Sequence, residues 1–173
     1  MQRVTYLVAT SIDGCIARPD DTFDIFVNDG DHVADYFAAL KCFDSVVMGR
    51  RTYDVGAKAG VTNPYPWLET FVVSSRLESA DPNVKVVADP APLVRSLRER
   101  EGRGVYLCGG GRLAARLLED DLIDEIVLKL NPVIAGVGIP VVADMERSTA
   151  LTLVDHKVHC ETGVIVIRYR VKR

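Results

Sequence analysis

Short apolar runs and amphipathic stretches alternate along residues 1–130, and few architectures accept that order. The runs "RVTYLVAT" (3–10), "SVVMG" (45–49), "TFVVSS" (70–75), "VKVVA" (84–88), "GVYLC" (104–108) and "DEIVLKL" (124–130) read as strands. Between them, Val33, Tyr36, Phe37 and Leu40 recur at helical spacing, with Asp31 placed as the N-cap. A second helix is expected from Arg50 or Arg51. A third follows Asp89 as cap, with Pro90 and Pro92 in its first turn and Leu93, Val94 and Leu97 inward. A fourth follows the glycines at 109–111, with Leu113, Leu117 and Leu118 inward. Repeated strand–helix units bury a largely parallel sheet between two helical layers. The chain then ends in two strands joined at Glu161-Thr162-Gly163. The expected fold is therefore α/β, three-layer α/β/α, with a mixed, mostly parallel sheet of about eight strands and a C-terminal antiparallel hairpin. With 173 residues, no repeat and no linker, residues 1–173 are expected to form one domain.

Three strand ends carry chemistry. "YLCGGGRLAARLL" runs from a strand through Gly109, Gly110 and Gly111 into a helix. Free N–H groups and the helix dipole favour an anion there, and glycine lets it touch backbone. A tight strand–helix turn would also explain the glycines. A dinucleotide fingerprint would need an acidic residue about 20 positions later, and "VLKLN" offers none. "VVMGRRTYD" places Gly49, Arg50, Arg51 and Thr52 at a second helix start, where guanidiniums suit a phosphate. Solvated arginines are the blander account. "VVSSR" ends a strand with Ser74, Ser75 and Arg76. In open α/β sheets ligands lie beyond this edge of the strands, so one extended ligand with several phosphates accounts for all three.

In order and spacing, "SIDGCIA", "VMGRRTYD", "VVSSR" and "CGGGRLAARLL" resemble the dihydrofolate reductase superfamily. Within it, "SIDGCIA", "LIDEIVLKLNPVIAG" and "GVGIPVV" resemble the reductase domain of the bifunctional riboflavin-biosynthesis deaminase–reductase and its stand-alone relatives. The resemblance implies NADPH as cofactor. It places Ala9, Ile16 and Ala17 along the nicotinamide. Gly49, Arg50, Arg51 and Thr52 start the helix that meets the phosphates. Ser74, Ser75 and Arg76 surround the adenosine ribose and its 2′-phosphate. Gly110, Gly111, Arg112 and Leu113 cradle the pyrophosphate, and the Gly109–Gly110 bond is cis. The implied activity is NADPH-dependent reduction of a small heterocycle, similar to that of 5-amino-6-(5-phosphoribosylamino)uracil reductase. The alternatives are dihydrofolate reductase and a non-catalytic nucleotide- or flavin-binding protein. The relatives also imply a homodimer.

The proton donor is open. Dihydrofolate reductases place an acid near the start of the first helix, and that position falls on Val33, flanked by Asp31 and Asp35. One residue of shift turns a helical side chain by about 100°. This departure weighs against dihydrofolate as substrate. Asp13, in the turn beside the expected nicotinamide, is a third candidate. Tyr36, Tyr65 and Trp67 are candidates for the substrate wall, with loop anchoring by the Pro-flanked aromatics as the alternative. His32 reads as solvated, while His156, His159, Asp124 and Glu125 read as structural.

A net charge of −3 disfavours nucleic acid as a partner. No apolar run is long enough for a transmembrane helix. Cys15, Cys42, Cys108 and Cys160 lack metal-site spacing, so no metal is expected, and they fit reduced thiols in the cytoplasm. These residues show no deaminase H-x-E and P-C-x-x-C elements, which weighs against the riboflavin pathway, although a lone reductase could partner a separate deaminase.

Overall fold

The structure, a computed structural model, describes residues 1–78 and 81–173. Strand β1 (Val4–Thr10) lies inside an eight-stranded sheet. Around it run β3 (Ser45–Gly49), β4 (Glu69–Val73), β5 (Val84–Val87), β6 (Val105–Gly109), β7 (Glu125–Leu130), β9 (Leu151–His159) and β10 (Val164–Val171). Their order is β5-β4-β3-β6-β1-β7-β10-β9. Every pair from β5 to β7 is parallel, and β10 is antiparallel to both β7 and β9. The mostly parallel sheet with a terminal antiparallel hairpin is thus observed. Two short strands, β2 (Cys15–Ala17) and β8 (Ile139–Pro140), pair separately, so "SIDGCIA" is more than a turn.

Four helices cover the sheet: α1 (Asp31–Leu40), α2 (Arg50–Lys58), α3 (Pro90–Glu99) and α4 (Gly111–Glu119). α3 and α4 pack Ala91, Val94, Leu97, Leu113 and Leu117 onto one face, against Tyr6, Val47 and Leu107. Leu117 is wholly buried, and burial of such a side chain contributes roughly 1.5–3 kcal/mol. Leu40 and Tyr53, from α1 and α2, join Leu7, Met48 and Tyr106 on the other face. As expected, Asp89 caps α3, accepting from the Ala91 N–H at 3.1 Å.

The start of α1 departs from expectation. Its N-cap is Gly30 at φ 113°, and Asp31 is already helical, with no side-chain cap bond. A Cβ on residue 30 would lie 2.6 Å from Thr162 Cγ2, so the helix entry abuts the β9–β10 turn and takes the one residue without a Cβ. His32, expected in solvent, is 2% exposed under this helix, while Phe37, expected inward, is 54% exposed. β9 forms the free edge of the sheet, with Leu153, Val154 and Val158 exposed. Among the described residues, no helix is long and apolar enough to cross a membrane.

Candidate active site

Parallel strands end together, so the C-terminal ends of β3, β4, β6 and β1 line one rim of the sheet. There Gly49, the N-cap of α2, faces Gly110, the N-cap of α4. A Cβ on Gly49 would sit 3.6 Å from both Gly109 O and Gly110 N, and 4.0 Å from Leu113 Cδ2. Cβ atoms on Gly109 or Gly110 would each lie 3.6 Å from Thr52 Oγ1, and that on Gly110 would lie 3.8 Å from Ile16 Cδ1. The Gly109–Gly110 peptide is cis. Three segments thus converge: the start of α2 with its Thr52 hydroxyl, the diglycine at the start of α4, and β2 through Ile16. Gly111 also meets a packing need, because a Cβ there would overlap the Pro140 carbonyl oxygen. It lets α4 pack against the β8 segment.

The charged residues around this rim are held by carboxylates. Arg50 Nε lies 2.8 Å from both Asp54 oxygens, Arg51 lies 2.7 Å from Asp21, and Arg112 lies 2.9 Å from Asp144. Exposed pairs of this kind contribute about 0–1 kcal/mol, so a phosphate can take over any of these guanidiniums at little cost. The Ser74 hydroxyl accepts from the Arg76 and Leu77 N–H groups and shapes the turn after β4. This leaves Ser75 and the Arg76 side chain exposed at the same rim.

On the α1 side of the sheet lies a group of phenols and a thiol. Tyr36 Oη is 3.0 Å from Tyr65 Oη and 3.4 Å from Tyr106 Oη, and Tyr65 Oη is 3.7 Å from Cys108 Sγ. Burial pushes Tyr36, Tyr65, Tyr106 and Cys108 up in pKa, so all four are neutral at pH 7. Trp67 packs edge-on to Tyr65 but is 55% exposed. Neither Tyr106 nor Cys108 carries a local motif that marks it as part of this group. Their signal was strand parity, since both point to one face of β6.

The three acidic candidates are engaged elsewhere. Asp13 accepts from Ser11 Oγ at 2.5 Å and from the N–H groups of Ala135 and Gly136 at 2.9 and 2.7 Å. The Ser11 hydroxyl, followed by the Ala135 N–H, brings its pKa down to about 2, so it is a fixed anion that ties two loops together. Asp31 and Asp35 turn toward the hairpin. His159 Nδ1 lies 2.8 Å from Asp31 Oδ1, an electrostatic contact rather than a well-aligned hydrogen bond. His159 Nε2 lies 3.4 Å from Asp35, which also meets Lys157 at 2.6 Å. The His159 contact is the leading cause of a lowered Asp31 pKa. His32 sits edge-on to His159 at 5.7 Å. This cluster seals α1 onto the hairpin.

Two cavities of about 160 and 340 Å³ open at the opposite end of the sheet, among Arg3, Arg168, Arg170 and Glu125. They lie at strand N-termini, away from the glycine rim, and are lined by ion pairs such as Arg3–Glu125 and Arg168–Glu125, both at 3.2 Å. Asp124 and Glu125 are structural, as expected: Asp124 accepts from the Val4 N–H and meets Arg98 and Arg173.

The same architecture is found in known proteins. The chain is 30% identical over 160 residues to the uncharacterized Bacillus subtilis (strain 168) protein YwjB, covering 88% of this chain and 90% of that one. It superposes with a TM-score of 0.85 on a putative riboflavin biosynthesis protein from Shewanella sp. PV-4, at 26% identity, covering 99% of this chain and 100% of that one. Dihydrofolate reductase from Enterococcus faecalis, complexed with NADP(H), superposes at 0.72 and 16% identity over 99% and 97% of the two chains, a likeness of fold. A family profile, the RibD C-terminal domain, matches residues 2–166. With nearly the whole sequence inside that profile, and with its fold that of dihydrofolate reductase, the chain belongs to the RibD C-terminal domain family.

Proposed function

We propose that this protein is an NADPH-dependent reductase of a small heterocyclic substrate, similar to 5-amino-6-(5-phosphoribosylamino)uracil reductase. The observation that carries the reading is the rim where Gly49, Thr52 and Ile16 each come within 4 Å of the Gly109–Gly110 pair, measured from a glycine Cβ position. A dinucleotide phosphate suits this rim, because neither helix N-terminus carries a side-chain cap and the Thr52 hydroxyl stands beside the diglycine. Bound NADPH would supply the hydride. The chain's own residues bind and orient. The N–H groups at the start of α4 and the Thr52 hydroxyl hold the pyrophosphate. Arg51, Ser75 and Arg76 hold the 2′-phosphate. Ala9, Ile16 and Ala17 present small or apolar surface to the ring and keep water from it. Tyr36, Tyr65 and Cys108 form a neutral wall on the substrate side.

The test is a calorimetric titration with NADPH, followed by cofactor oxidation at 340 nm with 5-amino-6-(5-phosphoribosylamino)uracil and with dihydrofolate. Binding of NADPH and turnover of the pyrimidine but not of dihydrofolate is expected. No NADPH binding at millimolar cofactor would overturn the proposal. The orientation of Asp31 and Asp35 toward His159 and Lys157 favours a second reading, a nucleotide binder without turnover. Tight NADPH binding without oxidation across pterins, pyrimidines and quinones would select it.

A further inference from the structure

Lys129 lies on β7 two residues beyond Val127, so both project from the same face of the sheet. Val127 belongs to the apolar cluster against which Tyr36, Tyr65 and Cys108 pack. The register partner of Lys129 on β1 is Ala9, the position expected to face the reacting ring. Its ammonium group is part-buried beneath the segment leading into α1 and donates to the Val27 carbonyl. The same carbonyl lies 3.2 Å from His32 Nε2, and Asn131 Oδ1 accepts from the Val27 N–H at 3.1 Å.

An ammonium carries three donors, and this one shares a single carbonyl. Lys85 and Lys157 each meet a carboxylate, at 2.5 and 2.6 Å. Among the described residues, no carboxylate meets Lys129. Its register neighbours on the flanking strands, Ala9 on β1 and Val166 on β10, are apolar and provide no counter-charge. Burial lowers its pKa, the signature of a cation whose lost hydration has not been replaced by a partner. A cation taken partly out of water is stable when an opposite charge joins it.

We propose that Lys129 is a substrate-anchoring residue that receives an anionic substituent, a phosphate or a carboxylate, on the heterocycle reduced in this cleft. The proposal rests on the reductase reading above. Ala9 and Lys129 would then face the two ends of one substrate. The ring lies over β1, its charged arm reaches β7, and Tyr106 and Cys108 of β6 stand on the other side of β1.

The test is calorimetric binding to the protein saturated with NADP⁺, so that the cofactor's own phosphate contacts are filled. Ribose 5-phosphate is compared with ribose, and orotate with uracil. One of the two anions is expected to bind and its neutral counterpart to bind at least about tenfold more weakly, the scale of one charge-assisted hydrogen bond. The anion that binds identifies the source of the charge. Lys129→Met should weaken that anion about tenfold or more and flatten its salt dependence, while Lys129→Arg should stay within about threefold. Lys129→Gln replaces the methionine variant if the latter fails to fold. Equal anion binding by wild type and both neutral variants would overturn the proposal, as would the absence of binding by either anion. Failure of NADP⁺ to bind would instead overturn the reductase reading, and the same comparison without cofactor would still decide Lys129.

Discussion

Gly49→Ala and Gly111→Ala put one methyl group on each of two neighbouring glycines, and the structure predicts opposite consequences. Gly49 has φ −76° and ψ 160°, a backbone that alanine adopts freely. Its new methyl would stand 3.6 Å from Gly109 O and Gly110 N, ordinary van der Waals contact. Alanine is a poorer N-cap than glycine by about 1 kcal/mol. A stiffer unfolded chain returns about 0.4–1 kcal/mol. Stability should therefore change by no more than about 1 kcal/mol, or roughly 4 °C in Tm for a chain of this size. The methyl does, however, occupy the rim where phosphate oxygens would meet the N–H groups of α4. NADPH affinity should fall at least about tenfold, equivalent to about 1.4 kcal/mol. At Gly111 the methyl would overlap the Pro140 carbonyl and approach Ala143 N at 3.4 Å, and neither backbone atom can rotate aside. Overpacking of that kind costs about 1–3 kcal/mol. Up to about 1 kcal/mol of helix propensity offsets part of it. Tm should fall by roughly 2–8 °C. Thermal unfolding and NADPH titration on both variants separate the two roles. A Gly49→Ala protein that is as stable as wild type and binds NADPH equally well would refute the placement of the phosphates between α2 and α4.

Arg51→Ala removes an exposed ion pair with Asp21, so Tm should hold, while NADPH should weaken far more than NADH; equal losses would rule out a 2′-phosphate contact. Asp13 titrates near 2 when folded and near 4 when unfolded, so its carboxylate stabilises the protein above about pH 4. That contribution disappears as pH falls toward 2, and hydrogen exchange at the Ala135 and Gly136 amides should accelerate over that window. Asp13→Ala should show fast exchange at both amides at neutral pH, and unchanged protection would refute the tie between the two loops.

Much of this molecule is written in local patterns. Strand–helix alternation, the Asp89 cap, the terminal hairpin and the glycine strand ends all depend on residues a few positions apart. Periodicity and turn chemistry carry that information along the chain. Thr52, Gly49 and Gly110 could be named as partners because parallel strands must end on one rim, so short motifs at strand ends are forced into proximity. The polar interior was not legible in that way. Asp31 looks like a cap, and becomes one side of a contact with His159, because the hairpin turn presses Thr162 against Gly30 and shifts the helix entry. His32 is buried because α1 presents it to His159 and to Val27 O. The Tyr36–Tyr65–Tyr106 group and the ammonium of Lys129 are assembled from α1, the proline loop, β6 and β7. Sequence spacing specifies which face of an element a side chain takes. Which other face it meets depends on packing between segments more than 100 residues apart, and packing alone brought the acids, histidines and phenols to their partners.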